Sequence, residues 1–301
     1  MILRPDTWNG SRFIFKRGDI QMEYRLEEEM ILEFEKCLIE EERSPETVRK
    51  YLLDVRKFFQ AVGTGNIITK ETVIAYKKEM TARYAAASVN SMLAAVNRFF
   101  RFKGWIDCAV KTLKIQREAF RASEKELKKE EYLRLLETAR KSKKGRLALI
   151  METLGATGIR IGELSFITAE AAKAGCAIVT LKRKTRQVLI PKKLGKKLLK
   201  YANEQNIKSG SLFITRSGRP VDRSNVLHEM KAICEAAGVD RKKVFPHNFR
   251  HLFACVFYRE YKDLSRLADL LGHSNVNTTR IYTCISGREH VRQIERLGLM
   301  V

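Results

Sequence analysis

Apolar residues recur at helical spacing through most of the first hundred positions. A first amphipathic helix is predicted by four apolar residues spaced four apart: Leu26, Met30, Phe34 and Leu38. Three further apolar runs predict three more helices, which would begin at the capping residues Ser44, Thr69 and Ser88. Gly104 should end the last of them, because glycine adopts the left-handed conformation that terminates many helices. The pattern therefore predicts a four-helix unit.

The second half of the chain mixes helical spacing with a strand pair. Tyr132, Leu135 and Leu136 predict a helix at its start. The β-branched and apolar runs at Ile178–Leu181 and Gln187–Ile190 predict paired strands, with the turn at residues 182–186. A mainly helical fold with one small β-hairpin in its C-terminal domain follows from these patterns.

Composition shifts divide the chain into segments. Residues 1–20 show no periodicity, and we expect a flexible leader there. Residues 21–112 are predicted to form the N-terminal helical domain, and residues 127–301 the C-terminal domain. Between them, the strongly charged residues 113–126 predict a linker. A chain of 301 residues has ample length for two such domains.

The charge balance indicates a polyanionic partner. Lysine and arginine number 58 against 35 acids, a net charge of +23, and such an excess favours nucleic acid over an anionic membrane surface. Six scattered cysteines without a C-x-x-C pair argue against a disulfide framework or a zinc ribbon and favour a reducing, cytoplasmic setting. No apolar run approaches the roughly 20 residues that cross a bilayer, and no signal peptide opens the chain.

The stretch from Pro246 to Tyr282 carries the strongest chemical pattern. Pro246 suits the first turn of a helix, on which His247 and Arg250 would share one face. Gly272 should end a later helix and leave His273 at a corner, with Tyr282 nine residues further on. Imidazoles, a guanidinium and a phenol at the edges of elements indicate phosphate chemistry.

These motifs, in this order and spacing, resemble the tyrosine recombinase (phage integrase) family. The segment Thr157–Leu164 resembles the motif that carries the family's first arginine, which places Arg160 in that role. The family also has a lysine in a β-hairpin turn. Lys184 matches it, with Lys182 as the alternative, since Arg183 stands where a glycine usually precedes that lysine.

The resemblance implies a catalytic set whose members are Arg160, Lys184, His247, Arg250, His273 and Tyr282. The tyrosine would attack a DNA phosphate and form a covalent 3′-phosphotyrosine, while the two arginines hold the phosphate oxygens. The lysine would serve as general acid, His247 would exchange a proton and His273 would donate a hydrogen bond to the phosphate. No ATP, metal or other cofactor is expected.

The resemblance also implies an architecture and partners. It suggests a SAM-like core-binding domain that clamps double-stranded DNA, a simple Xer-like arrangement, and a homotetramer on two DNA sites that forms from monomers or weak oligomers and exchanges strands through a Holliday junction. The tail after Tyr282 would dock on a neighbouring subunit. Candidate DNA contacts are the basic residues Arg49, Lys50, Lys57, Arg98, Arg101, Lys103, Lys182, Arg183 and Arg186.

Several alternatives remain open at this point. A type IB topoisomerase uses similar groups, and a DNA-binding relative could carry an inactive site. His247 and His251, at i and i+4, with Cys255 one turn on, also have the spacing of a zinc hydrolase. Glu163 is either a solvated helix residue or a group that orients Arg160. His251 either supports the site or packs on the opposite side of its helix.

Overall fold

The architecture is seen in a computed structural model, which describes residues 11–16, 19–115, 126–181, 184–215, 217–273, 275–282 and 295–297. The chain divides into two compact units, Met1–Arg117 and Glu118–Val301. Most of the predicted linker lies outside the described residues. The mainly helical fold with a β-hairpin in the second unit is confirmed.

The N-terminal unit contains the predicted helices, and their bounds are α1 Glu29–Glu40, α2 Pro45–Val62, α3 Lys70–Arg83 and α4 Ala86–Lys103. Two of the predicted caps are confirmed. The Ser44 hydroxyl accepts the Thr47 N–H at 3.3 Å, and the Thr69 hydroxyl accepts the Thr72 N–H at 3.4 Å. Gly104 takes the left-handed conformation that ends α4.

The predicted start of α4 was wrong. The helix begins at Ala86, and Ala85 occupies the cap position without a side-chain hydrogen bond. Ser88 lies inside the first turn, where its backbone N–H donates to the Ala85 carbonyl at 2.8 Å. The chain is already helical two residues before the hydroxyl that we took as its cap.

The structure places strands in part of the segment for which the sequence predicted a flexible leader. Strands β1 (Ser11–Lys16) and β2 (Asp19–Arg25) pair antiparallel, and β2 pairs in turn with β3 (Ile67–Ile68). At the end of β2, the buried Tyr24 ring stacks on Trp105 with centroids 5.0 Å apart. This contact ties the strand to the core, which local periodicity could not reveal.

The N-terminal core is built from aromatic rings. Phe99 on α4 meets Phe34 of α1, Phe59 of α2 and Trp105, with centroid distances of 5.5, 5.5 and 5.8 Å. All three contacts are edge-to-face, the arrangement that the ring quadrupole favours. The apolar faces that the sequence predicts for these helices therefore pack together in one buried cluster.

The C-terminal unit is larger. Its helices are α5 Lys129–Lys141, α6 Gly145–Thr157, α7 Ala169–Ala174, α8 Lys192–Glu204, α9 Arg223–Lys231, α10 Pro246–Tyr261 and α11 Leu264–Leu271. Short 3-10 helices cover Ile161–Phe166, Val276–Thr278 and Arg280–Tyr282. Helix α10 packs against α6, which is apolar on most sides, so α10 is fixed at the centre of the unit.

Strands β4 (Cys176–Leu181) and β5 (Lys184–Leu189) form the predicted hairpin, but its turn is shorter than expected. Leu181 pairs with Lys184 and Val179 with Arg186, so only residues 182 and 183 separate the strands. The predicted turn over residues 182–186 was therefore too long. Lys184 is the first residue of β5, whereas Lys182 and Arg183 lie outside the described residues.

Within the described part of the chain, no helix combines the length and the apolar character that a membrane crossing requires.

Candidate active site

Helix α10 carries the central charged residue of the site. Pro246 occupies its first turn as predicted, and the helix runs inward so that Arg250 is only 1% exposed. His247 shares a helical face with Arg250 by spacing, but its side chain is exposed because it lies in the first turn. This face of α10 therefore carries an exposed imidazole, and one turn later it carries a buried guanidinium.

Backbone carbonyls hold the Arg250 guanidinium in place. Nη1 donates to the Gly158 carbonyl at 2.6 Å, and Nη2 donates to the Leu271 carbonyl at 2.7 Å. Nη2 also lies 2.9 Å from Nε2 of His273. Burial, and then the nearby charge of Arg160, lowers the pKa of Arg250 to about 10. The group remains a cation near neutral pH, as phosphate binding requires.

His273 follows Gly272, whose positive φ of 64° ends α11 as predicted. Because a guanidinium can only donate, Nε2 of His273 accepts from Arg250. Nδ1 must then carry the hydrogen and donate to Oγ1 of the buried Thr279 at 2.8 Å. Burial, followed by the charges of Arg250 and Arg160, lowers the pKa of His273 to about 4. In this structure the ring is a neutral acceptor at Nε2.

Glu163 joins two arginines at the other side of the site. It is only 3% exposed, and its Oε1 accepts from Nη1 of Arg160 at 2.9 Å. Its Oε2 accepts from the Arg160 backbone N–H at 2.8 Å and from Nη2 of Arg186 at 2.6 Å. Burial alone would raise the pKa of Glu163, but these hydrogen bonds and the charge of Arg186 hold it below its usual range. Glu163 therefore orients Arg160, which decides between the two roles considered for it.

Arg186 does not lie where a DNA contact was predicted. Its side chain is 14% exposed, and besides Glu163 it binds the Leu270 carbonyl through Nη1 at 3.0 Å. A Cβ at Gly272 would lie 2.2 Å from Cδ of Arg186, so only glycine permits this approach. Arg186 connects strand β5 to the turn that carries His273, and we correct its predicted role accordingly.

Tyr282 lies in the 3-10 helix Arg280–Tyr282 and is 5% exposed. Its ring is nearly parallel to that of His273, with centroids 6.3 Å apart and planes 14° apart. It also packs on His251, with centroids 5.2 Å apart and planes 42° apart. A charge on Tyr282 is close enough to raise the pKa of Arg250. The phenol thus lies beside an imidazole and a buried guanidinium.

The structure brings together four of the six predicted catalytic residues, namely Arg160, Arg250, His273 and Tyr282. The charge of His247 is among the causes that lower the pKa of His273, which places it near this group. Sequence reasoning missed Thr279 and Glu126, the hydrogen-bond partners of His273 and His251. Thr279 lies inside the motif that pointed to Tyr282, whereas the sequence around Glu126 gave no signal.

The candidate DNA contacts of the N-terminal unit differ in exposure. Arg49 and Arg101 are exposed, and so is Lys50, which pairs with Asp54. The half-buried Lys57 lies 5.8 Å above the Tyr84 ring. Two others are turned toward carboxylates: Arg98 pairs with Glu41, and Lys103, with its side chain 6% exposed, pairs with Glu33 at 3.1 Å.

The donor geometry gives the zinc-hydrolase alternative no support. Nε2 of His251 lies 3.0 Å from Oε1 of Glu126, and Nδ1 lies 3.3 Å from Sγ of Cys255, so both nitrogens already have protein partners. Among the residues that the structure describes, no group of three or more His, Cys, Asp or Glu side chains is arranged to hold a metal.

Comparisons with known proteins point to one family. The phage integrase family matches residues 125–288, and its N-terminal SAM-like domain matches residues 31–105. Tyrosine recombinase XerA of Thermococcus kodakarensis is 31% identical over 282 residues, covering 91% of this chain and 96% of the relative. Tyrosine recombinase XerD of Caulobacter vibrioides is 31% identical over 275 residues, covering 81% and 86%.

Solved structures share the fold. A lambda integrase tetramer bound to a Holliday junction aligns with a TM-score of 0.69 at 18% identity, covering 84% of this chain and 76% of that one. XerH site-specific recombinase bound to its difH substrate aligns with a TM-score of 0.64 at 20% identity, covering 84% and 80%. With two domain matches and full-length relatives, this chain belongs to the phage integrase family and is a tyrosine recombinase, an enzyme that cleaves and rejoins DNA.

Proposed function

We propose that this chain is a site-specific DNA recombinase in which Tyr282 is the nucleophile. The observation that carries the proposal is the convergence of Tyr282, His273 and Arg250: the phenol stacks on an imidazole whose Nε2 lies 2.9 Å from the guanidinium. A phosphodiester that reaches Arg250 and His273 would meet the tyrosine at the same point.

The chemical step exchanges one phosphodiester for another. Oη of Tyr282 attacks phosphorus and forms the Tyr–O–P bond, while the bond between phosphorus and the 5′-oxygen breaks. The phenolic proton leaves to a base, and the 5′-oxygen takes a proton from a general acid. Attack by the freed 5′-hydroxyl of a partner strand reverses these movements. The bond energy is kept, so no nucleotide hydrolysis is needed.

The two arginines stabilise the negative charge that builds on the phosphate oxygens. Arg160 is half exposed and held from behind by Glu163, so its free guanidinium face is open to DNA. Arg250 lies deeper. Both N–H groups of its Nη2 are engaged, by Leu271 and His273. A phosphate that binds this nitrogen must take the place of one of them.

Proton transfer is assigned to the hairpin lysine and the histidines. We propose Lys184 as the general acid, with Lys182 as the alternative. Only residues 182 and 183 separate the two strands, so Lys184 is next to the hairpin turn, where the family has its lysine. His247, exposed at the start of α10, would exchange the proton of the phenol. For His273 to donate to the phosphate, Arg250 must leave its Nε2 and that nitrogen must gain a hydrogen, either by protonation of the ring or by movement of the hydrogen from Nδ1.

The hairpin assignment can be tested with a substrate that carries sulfur in place of the 5′-bridging oxygen. A thiolate leaves without needing a proton, so this DNA should restore cleavage to a variant that lacks only its general acid. Rescue of Lys184→Ala, with Lys182→Ala cleaving ordinary DNA normally, supports Lys184. The reverse result transfers the role to Lys182.

The proposed partners are double-stranded DNA and further copies of the chain. The net charge of +23 supports the first. For the second, the lambda integrase relative is a tetramer on a Holliday junction, and we propose a homotetramer on two DNA sites that forms from monomers or weak oligomers. The tail predicted to dock on a neighbour lies outside the described residues except for 295–297, so that docking stays a prediction from sequence.

Capture of covalent DNA tests the proposal. DNA fragments from the host are incubated with the protein, and adducts are trapped in denaturant, isolated and sequenced. Wild type should yield one enriched site, and Tyr282→Phe should yield no adduct while still binding DNA. Tyr258→Phe is the matched control, since Tyr258 packs in the same cluster as Tyr282.

The same experiment separates the alternatives. Adducts spread over unrelated sequences, together with relaxation of any supercoiled plasmid, would favour a topoisomerase. Sequence-specific binding without adducts from the wild type would indicate an inactive relative. Adducts that persist in Tyr282→Phe would overturn the assignment of the nucleophile.

A further inference from the structure

The ring of Tyr282 contacts two imidazoles, and the proposed mechanism uses only one of them. His273 is the more distant, with a centroid separation of 6.3 Å. His251, the residue after Arg250 on α10, is nearer at 5.2 Å and is 3% exposed. Neighbouring residues of a helix point about 100° apart, so His251 meets the phenol from a direction different from that of the phosphate-binding groups.

His251 is itself held at both ring nitrogens. Oε1 of Glu126 lies 3.0 Å from Nε2, and since a carboxylate only accepts, Nε2 carries the hydrogen. Sγ of Cys255, one helical turn on, lies 3.3 Å from Nδ1. This imidazole has a fixed partner on each nitrogen, so it cannot flip about its Cβ–Cγ bond without losing both hydrogen bonds. The plane of the ring is therefore fixed.

Glu126 reaches this position from far along the chain. It precedes α5, 125 residues before His251, and it lines a cavity of about 440 Å³ together with His251 and Cys255. A phenylalanine at position 251 would fill the same space without the desolvation cost of a buried imidazole beside a carboxylate. The polar pair therefore supplies something other than packing.

We infer that Glu126 and His251 form a positioning pair that sets the ring of Tyr282 for attack. Glu126 fixes the plane of the imidazole, and the imidazole face in turn limits rotation of the phenol. The Oη atom of Tyr282 is then held in one direction, toward the phosphorus that it attacks. The inference rests on the proposed role of Tyr282 as the nucleophile, and the positioning role requires no contact between the pair and DNA.

Misplacement of a reacting group by about 1 Å can cost up to roughly 100-fold in rate. We expect Glu126→Ala to slow single-turnover adduct formation at saturating DNA by about tenfold or more, with the half-saturating DNA concentration unchanged. Glu126→Gln should stay within about threefold of wild type, because its amide oxygen accepts the same hydrogen bond. Glu260→Ala, which removes an exposed carboxylate lining the same cavity, is the matched control and should change nothing.

A double-mutant cycle gives a readout that a merely structural role would not produce. His251→Phe keeps an aromatic ring against Tyr282 but loses the anchor, and it should slow adduct formation about as much as Glu126→Ala. Because the two residues act as one unit, the double variant should be no slower than either single variant.

The inference is overturned if Glu126→Ala reacts at the wild-type rate, if Glu126→Gln is as slow as Glu126→Ala, or if the two losses multiply in the double variant. A rise in the half-saturating DNA concentration at an unchanged maximal rate would also overturn it. Its failure is separate from that of the proposed function: loss of adducts in Tyr282→Phe with normal reaction of Glu126→Ala removes only the positioning pair.

Discussion

The buried centres of the two units contain different kinds of side chain. The N-terminal unit buries rings, with Phe34, Phe59, Phe99 and Trp105 in edge-to-face contact. The C-terminal unit buries charge: Arg250 is 1% and Glu163 is 3% exposed. Burial of apolar side chains stabilises a fold. Burial of a charged side chain costs free energy unless its hydrogen-bond and ion-pair partners are all in place.

This difference indicates what each centre is for. The aromatic core gives the N-terminal unit a rigid shape and contains no reactive group. The charged centre holds guanidinium groups in fixed positions where a phosphate can meet them, which is what stabilisation of a transition state requires. Substitutions in the first centre should therefore cost stability, and substitutions in the second should cost chemistry.

Phe99→Ala should have the largest effect on stability. Removing a ring that meets three other aromatic side chains edge to face leaves a cavity in a closely packed core, and such changes cost about 3–5 kcal/mol of unfolding free energy. Urea unfolding measures the loss, and Ile106→Ala, at a site 69% exposed, should cost far less. Well below the unfolding transition, the cleavage rate at saturating DNA should remain near wild type. A lower cleavage rate with little loss of unfolding free energy would contradict the expectation that substitutions in the aromatic core cost stability and leave the chemistry intact.

Arg250→Lys should show the reverse pattern. A lysine cannot contact the Gly158 and Leu271 carbonyls and His273 together with the planar geometry of a guanidinium. We expect adduct formation to fall about 100-fold or more, a typical loss when one transition-state donor is removed. Arg259→Lys, exposed on the same helix, should react normally. A variant at position 250 that keeps most of its rate would show that the buried charge is not needed for chemistry.

Glu163→Gln should have a smaller effect of the same kind. The amide keeps the shape of the carboxylate but removes the charge that Arg160 and Arg186 share. We expect adduct formation to slow on the order of tenfold, equivalent to about 1.4 kcal/mol. Glu137→Gln provides the control, because Glu137 is exposed and pairs only across one turn with Lys141. Equal rates for the two variants would contradict an orienting role for Glu163.

The pH dependence of stability should show the smallest effect. The folded pKa of His273, about 4, lies below its ordinary value of 6.5, so the folded state favours the neutral ring. This contribution is fully present above pH 6.5 and is lost as the pH falls toward 4, because the unfolded chain takes up the proton first. Melting temperatures at pH 7 and pH 4 should therefore differ more in wild type than in His273→Asn. An equal difference in both proteins would contradict the lowered pKa.

Much of the fold could be predicted because its signals are local. The apolar spacing of α1, the Ser44 and Thr69 caps and the glycine stops at Gly104 and Gly272 depend only on near neighbours, and the structure confirms them. The misses depended on distant contacts. Strand β2 is held by pairing with Ile67–Ile68 and by the stacking of Tyr24 on Trp105, and neither is visible in residues 1–20 alone.

The active site divides in the same way. The resemblance to the tyrosine recombinase family pointed to Arg160, Arg250, His273 and Tyr282, which the structure brings together. It could not show that Arg186 turns inward to Glu163, because a basic residue in a basic hairpin looks the same whether it faces DNA or the protein. Nor could spacing identify Glu126, since its partner lies 125 residues away.

The central claim is that a single phenol becomes joined to a DNA strand end. Digestion of the trapped adduct with nuclease and trypsin should leave the peptide of residues 281–288, because trypsin cleaves after Arg280 and after Arg288. Mass spectrometry of this peptide should place a 3′-phosphonucleotide on Tyr282. A nucleotide on any other residue, or one attached through a 5′-phosphate, would contradict the account.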